Sequence, residues 1–183
     1  MEYLQGKQIR LRAIEPEDED ILFKWENDPD IWQVSNTLTP FSRLVLRQYL
    51  AQAKLDIFEA RQVRLVIETT GPARPVGLID LFDFDPFHQR AGVGILIGEK
   101  ADRGKGYASD ALETLLRYCF GVLLLNQVYC SIDESNEISL NLFQKTGFTV
   151  SGRKKKWNRT PDGWSDEWFL QVTSDDWSDR SSK

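Results

Sequence analysis

The chain predicts an α+β fold, a mixed sheet flanked by helices, in a single domain over residues 1–173 with a polar tail at 174–183. Three observations carry that reading. Strand-length apolar runs follow one another between 63 and 98 with turn residues between them. Helix-period and strand-period segments then alternate from 106 to 145, and two more strand patterns flank Pro161-Asp162-Gly163.

Residues 9–14 alternate in character and read as a first strand. Pro16 opens a helix whose first turn carries Glu17, Asp18, Glu19 and Asp20, where acids suit the helix dipole. It continues through Ile21, Leu22, Phe23 and Trp25 and should stop near Asn27-Asp28-Pro29. A loop with Trp32, Thr37 and Pro40 follows, then a helix over 42–53 whose buried side is marked by Leu44, Leu46, Tyr49 and Leu50. Residues 63–68 form a strand, 71–75 the turn out of it, and 76–84 the returning strand. Period two puts Leu78, Asp80 and Phe82 on one face of that strand and Gly77, Ile79, Leu81 and Asp83 on the other. Asp85-Pro86 breaks it, and 91–98 is the central strand. The main helix covers 106–122, with Ala111, Leu112, Leu115, Leu116 and Cys119 at helical spacing. A strand at 127–132, a helix at 135–145 and strands at 148–156 and 166–172 complete the domain, and the tail from Ser174 is expected to be loose.

Bulk properties narrow the function. Hydrophobic residues at 41% and charged residues at 28% exclude disorder as the main state. With 23 basic and 28 acidic side chains the net charge is −5, which argues against a nucleic-acid partner. The one basic run, Arg153-Lys154-Lys155-Lys156, reads as a solvated strand edge. Cys119 and Cys130 fall at apolar positions and read as core thiols of a reducing compartment. One histidine and two cysteines make a metal site improbable. Residues 1–12 are polar and charged, no segment offers a membrane span, and a cytoplasmic location is expected.

The richest stretch is Asp102-Arg103-Gly104-Lys105-Gly106-Tyr107-Ala108, between the central strand and the main helix. Glycines uncover backbone N–H groups, the helix dipole is positive there, and Arg103 and Lys105 add full charges, so the loop suits a phosphate. It is not a Walker loop, because Lys105 is followed by Gly106 and no Ser or Thr. Nor is it a dinucleotide fingerprint, because Gly92, Gly94 and Gly98 have the wrong spacing and lie within the strand. Arg103, Gly106 and Ala108 do satisfy [Q/R]-x-x-G-x-[G/A], and this resembles the coenzyme A pyrophosphate loop of the GNAT family of N-acetyltransferases. After one intervening strand, Asn136 to Phe148 is similar to that family's second signature, N-x-x-S-x-x-L-[YF]-x-K-x-G-F.

The resemblance implies a mostly antiparallel central sheet flanked by helices, with two parallel strands splayed apart to hold acetyl-CoA. It implies that Arg103, Gly104, Lys105, Gly106, Tyr107 and Ala108 hold the pyrophosphate. The edge of Ile95, Leu96 and Ile97 would pair with the pantetheine amides, with a bulge there that Gly94 and Gly98 are compatible with; those glycines also suit plain close packing. Asn136 and Ser139 would contact the donor, although 133–136 is equally an ordinary helix start. The chain departs from the family at Phe143, where many members carry a tyrosine acid. Phe143 has no proton to give and would pack against the pantetheine arm instead. A thiol of pKa about 8.5–10 is a tolerable leaving group near neutrality, so direct attack by an amine in a ternary complex stays feasible.

A primary amine must first lose a proton, at a cost of roughly 4 kcal/mol at pH 7. Asp80, Asp83 and Asp85 on and after the 76–84 strand are candidate bases, Asp80 foremost because charge within an apolar strand is unusual. His88, the sole histidine, and the carboxylates Glu26 and Glu99 are further candidates. The chain as a whole is most similar to the branch holding spermidine N-acetyltransferases and ribosomal-protein N-terminal acetyltransferases, and residues 81–88 and the loop motif resemble the polyamine enzymes. The expected acceptor is a small-molecule amine such as spermidine or a protein N-terminus, with Glu26, Trp32 and Asp83 as substrate-side residues. A non-catalytic acyl-CoA sensor is the alternative of another class. Trp157, Trp164, Trp168 and Phe169 are compatible with a homo-oligomer through the last strands, and equally with a substrate wall or core.

Overall fold

The computed structural model describes residues 2–35, 37–52 and 56–181. One seven-stranded sheet organises them: β1 (Ile9–Ala13), β2 (Val63–Thr69), β3 (Pro75–Asp85), β4 (Arg90–Ile97), β5 (Gln127–Asp133), β6 (Thr149–Thr160) and β7 (Gly163–Thr173). The spatial order is β1-β2-β3-β4-β5-β7-β6, antiparallel throughout except for the β4–β5 pair. Seven helices accompany it: α1 (Glu19–Glu26), α2 (Pro29–Ser35), α3 (Arg43–Gln52), α4 (Ile57–Ala60), α5 (Tyr107–Gly121), α6 (Glu137–Lys145) and α7 (Ser174–Ser181).

The sheet is apolar on both faces because helices cover both. On one face Ala111, Leu112, Leu115, Leu116 and Cys119 of α5 pack with Ile9, Ile67, Ile79, Val93 and Val128, joined by Phe143 of α6. On the other, Leu22 and Trp25 of α1, Ile31 of α2 and Leu46 of α3 pack on Val66 and Leu78. Asp110, in the first turn of α5, accepts from the backbone N–H groups of Lys7, Gln8 and Ile9 at 3.0, 2.6 and 3.2 Å, which ties the start of β1 to the main helix.

Four local expectations are corrected. Trp32 lies in a helix, not a loop: Pro29 is a compatible first residue, Asp28 Oδ1 accepts from Asp30 N at 2.9 Å, and the Asp28 carbonyl accepts from Ile31 and Trp32. In α3, Leu46 is buried but Leu44 is 66% exposed, and the predicted end at Ala53 lies outside the described residues. The short α4 is added, capped by Asp56, whose Oδ1 accepts from Phe58 and Glu59. The tail is not loose up to residue 181. Thr173 and Asp176 cap α7 reciprocally, Trp177 packs on Phe120 with centroids 6.1 Å apart, and Arg180 donates to the Lys145 carbonyl at 2.9 Å.

Candidate active site

Parallel pairing between β4 and β5 lasts three rungs, Arg90–Gln127, Ala91–Val128 and Gly92–Tyr129, after which the strands part. A cleft of about 660 Å³ opens between them, walled by Val93, Gly94 and Ile95 of β4 and Cys130, Ser131, Ile132 and Asp133 of β5. The expected splay is therefore present. The expected bulge is displaced, since β4 stays in regular register with β3 from Gly92 to Ile97. The irregularity falls on β3, where Asp83 and Phe84 stand opposite Ala91 alone. Glycines of β4 serve packing: a Cβ at Gly92 would come within 2.3 Å of the Phe82 ring, and one at Gly98 within 2.1 Å of the Trp25 indole.

Beyond the open end of β4, a 3-10 turn (Lys100–Asp102) leads into Gly104 and Gly106 with φ of +76° and +86°. Gly106 is the residue before α5 and brings no capping side chain, so the first N–H groups of the helix stay uncovered. Arg103 and Lys105 are exposed beside them. Asp102 braces the loop from beneath: Arg74 bonds it through two nitrogens at 2.6 and 2.7 Å and Lys105 reaches it at 3.1 Å. Arg74 foremost, with Lys105 and against the effect of burial, holds the Asp102 carboxyl at about 2. The loop is thus a rigid, positively biased set of backbone donors, and this donor set fits a pyrophosphate. Tyr107 and Ala108 begin the helix, half-buried.

Of the other donor-side candidates, Ile95, Asn136, Ser139 and Phe143 line the cleft. Leu96 turns to the α1 side and Ile97 to the α5 side, leaving their backbone edge toward the opening. Asn136 caps α6, its Oδ1 accepting from Ser139 N at 3.1 Å, which leaves the amide NH₂ as the group available to a guest. Phe143 is buried edge-to-face against Phe148, 5.0 Å between centroids, and presents only carbon to the cleft.

The acceptor-side candidates fare unevenly. Trp32 lines the cleft together with Thr37 and Leu38. Asp80 and Glu26 do not: Arg64 bonds both oxygens of Asp80 at 2.7 and 2.8 Å and Glu26 at 2.5 Å, on the α1–α3 face. Burial alone would lower the Arg64 pKa, but the two carboxylates overcome it and raise it, so this cluster is a locked ion triad. Glu99 is held by Lys24 at 2.5 Å and by the Trp25 indole at 3.2 Å. Asp83 is turned outward by the β3 bulge at φ +49° and accepts from Tyr129 Oη at 3.4 Å. His88 is exposed in the β3–β4 turn against Phe87, at the closed end of the splay. Asp85 sits in the same turn, accepting from Phe87 N and His88 N.

Sequence reasoning missed Asp133, the one carboxylate lining the cleft among the described residues. Its Oδ1 accepts from Ser135 N and Oγ at 3.0 and 2.7 Å, its Oδ2 from Asn158 at 2.9 Å and from Ser165 Oγ. Burial would raise this carboxyl, but Ser165, Ser135 and Asn158 outweigh burial and hold it at about 2. It fastens β5 to the start of α6 and to the β6–β7 hairpin, whose residues Asn158, Arg159, Thr160 and Pro161 complete the wall of the cleft. The signal in the sequence was an Asp at a strand end two residues before a Ser, a pattern shared by many helix starts.

A sheet parted between two parallel strands, with a phosphate loop at its open end, is the geometry of an acyl-CoA-dependent acyltransferase. The family model of the acetyltransferase (GNAT) domain matches residues 8–149, and the chain belongs to that family. It is an acetyltransferase whose acyl donor is acetyl-CoA. Among known proteins it is similar to the spermidine N(1)-acetyltransferase of Escherichia coli (strain K12), 28% identical over 79% of this chain and 74% of the relative. An uncharacterized N-acetyltransferase of Bacillus licheniformis is likewise 28% identical, over 83% of this chain and 85% of the relative. In fold it matches the spermidine N-acetyltransferase of Vibrio cholerae, solved with CoA and spermine, at a TM-score of 0.85 and 21% identity over 94% of this chain and 99% of that one.

Proposed function

We propose that the chain moves an acetyl group to a primary amine by direct attack within the β4–β5 cleft, and that a polyamine such as spermidine is the first acceptor to test. The observation that carries the proposal is the three-rung limit of the parallel pair, which leaves an extended backbone edge facing a cleft beside a ready phosphate loop. Acetyl-CoA supplies an acyl group already activated as a thioester. Residues 103–108 hold its pyrophosphate through backbone N–H groups and the charges of Arg103 and Lys105. The edge of Ile95, Leu96 and Ile97 offers amide partners, Asn136 Nδ2 and Ser139 offer polar ones, and Phe143 excludes water.

No side chain in the described wall of the cleft is free to take the amine proton. Asp133 has both oxygens engaged, and Asp80, Asp83, Glu26 and His88 lie elsewhere. Water therefore receives it, and the amine attacks in its neutral form. The wall also lacks a tyrosine, and burial pushes the Cys130 thiol pKa up, so the departing sulfur leaves without a dedicated acid.

The spermidine relatives support a polyamine. A specific observation favours the second reading, an acceptor of low charge such as a protein N-terminus: Glu26, expected on the substrate side, is already paired to Arg64, and nearby Asp30 is paired to Lys100. Release of free coenzyme A from acetyl-CoA, measured against spermidine, spermine, a ribosomal-protein N-terminal peptide and an aminoglycoside, decides between them. Saturable turnover of one class names the acceptor; binding of acetyl-CoA with no turnover on any amine would refute the proposal.

A further inference from the structure

A primary ammonium is already seated on the sheet face that borders the cleft, and it belongs to the chain itself. Lys154 Nζ donates to Glu167 at 2.7 Å and to Ser131 Oγ at 3.1 Å. It lies 4.9 Å from the ring centroid of Trp157 and 5.9 Å from that of Phe169. Cross-strand pairing sets Ser131 beside Phe169 and Lys154 beside Glu167, so all four belong to one face, and Ser131 also lines the cleft. Glu167 is only 8% exposed, and Lys154 is its ion-pair partner.

A buried carboxylate, a hydroxyl and two aromatic faces around one nitrogen are the chemistry that recognises an alkylammonium. The backbone is shaped to complete it. Residues 155–157 of β6 stand opposite Asp166 alone, with Lys156 at φ +50° and its N–H on Asp166 Oδ1 at 2.7 Å, and this bulge accompanies the placement of Trp157 over its own neighbour's ammonium.

We infer that Glu167, Ser131, Phe169 and Trp157 form a second ammonium site beside the cleft, joined to it at Ser131, and that Lys154 is its built-in occupant. The inference rests on the reading of the cleft as the place of amine acetylation. An acceptor carrying one amine reacts without meeting this site. An acceptor carrying a second ammonium either displaces Lys154 from Glu167 or leaves its own charge beside that of Lys154, which is unfavourable. Lys154 therefore sets the charge selectivity of the enzyme, against polyamines and in favour of singly charged amines.

Two variants test this, Lys154→Met and Lys154→Gln. The second keeps an N–H donor for Glu167 and Ser131 and so guards against misfolding. Either should raise kcat/KM for spermidine roughly tenfold, through KM, while kcat/KM for butylamine stays unchanged. Adding Glu167→Gln to Lys154→Met should abolish the gain. Calorimetric titration of spermidine into the same proteins reads the site without turnover, and should show the same tightening and its loss. Parallel changes for spermidine and butylamine, no tightening, or a gain that survives Glu167→Gln would each overturn the inference. Absence of turnover with every amine, beside a tightened spermidine titration, would instead count against the cleft's proposed reaction and leave the ammonium site standing.

Discussion

The end proposed for the donor is mainly backbone: a strand edge along the cleft and, beyond it, two left-handed glycines and an uncapped helix start, all between residues 94 and 108. At the end proposed for the acceptor, the cleft is walled by side chains brought together from three distant stretches, Trp32 and Leu38, Ser131 to Asp133, and Asn158 to Pro161. Backbone groups suit phosphates and amides, and they carry little information about the acceptor. The side-chain end is where charge and shape are individual, and here the one carboxylate in its described wall, Asp133, is spent on internal partners.

The contrast breaks most readily at Gly106. Replacing it by valine puts a β-branched residue at φ +86° and covers the uncapped N–H groups, so kcat/KM for acetyl-CoA should fall on the order of 100-fold with little change in which amine is used. A variant that keeps wild-type acetyl-CoA kinetics would show that the phosphate is held elsewhere. A second test concerns the proton. With no free base among the described residues of the wall, kcat/KM for a primary amine should climb about tenfold per pH unit up to the amine's own pKa. A plateau near neutrality would reveal a side-chain base that the geometry does not contain.

Asp133→Ala should weaken amine use roughly tenfold by loosening the β6–β7 hairpin and lower stability by about 2 kcal/mol, with smaller effect on acetyl-CoA. The fold prefers this carboxyl ionised, at about 2 instead of 3.8. Its stabilisation is therefore complete above about pH 4 and lost as pH falls toward 2. Acid-unfolding curves of wild type and variant should converge across that window. The smallest effects belong to the residues that sequence alone put forward for catalysis. Asp80→Asn and His88→Ala should each leave kcat within about threefold of wild type. Asp80→Asn alone should lower stability, by about 1–3 kcal/mol, because it strips a partner from half-buried Arg64.

What was legible in the sequence follows the same division. The strand–loop–helix order and the glycine loop are contiguous, so composition and spacing expose them. The faces of β3 could be assigned up to Phe82, but not past the bulge that turns Asp83 outward and sends Phe84 back to the core. Asp80 looked conspicuous as a charge in an apolar strand; its explanation, Arg64 directly across on β2, depends on register and cannot be read from one strand. Asp133 and Lys154 looked ordinary for the converse reason. Their partners, Asn158, Ser165 and Glu167, come from strands whose pairing includes a three-for-one bulge.

The early parting of β4 and β5 leaves the molecule one strand short of a finished sheet. Seven strands normally present two edges, whereas this sheet presents four, the inner pair being β4 past Gly92 and β5 past Tyr129. Inner edges invite any extended chain to lie down as the missing strand, including one that is not a coenzyme. The charge of Asp133 at the β5 rim and the bare Gly94 on the β4 edge make that berth narrow in chemistry: welcoming to a slender amide-bearing arm, and poor for a β-strand with side chains on both faces.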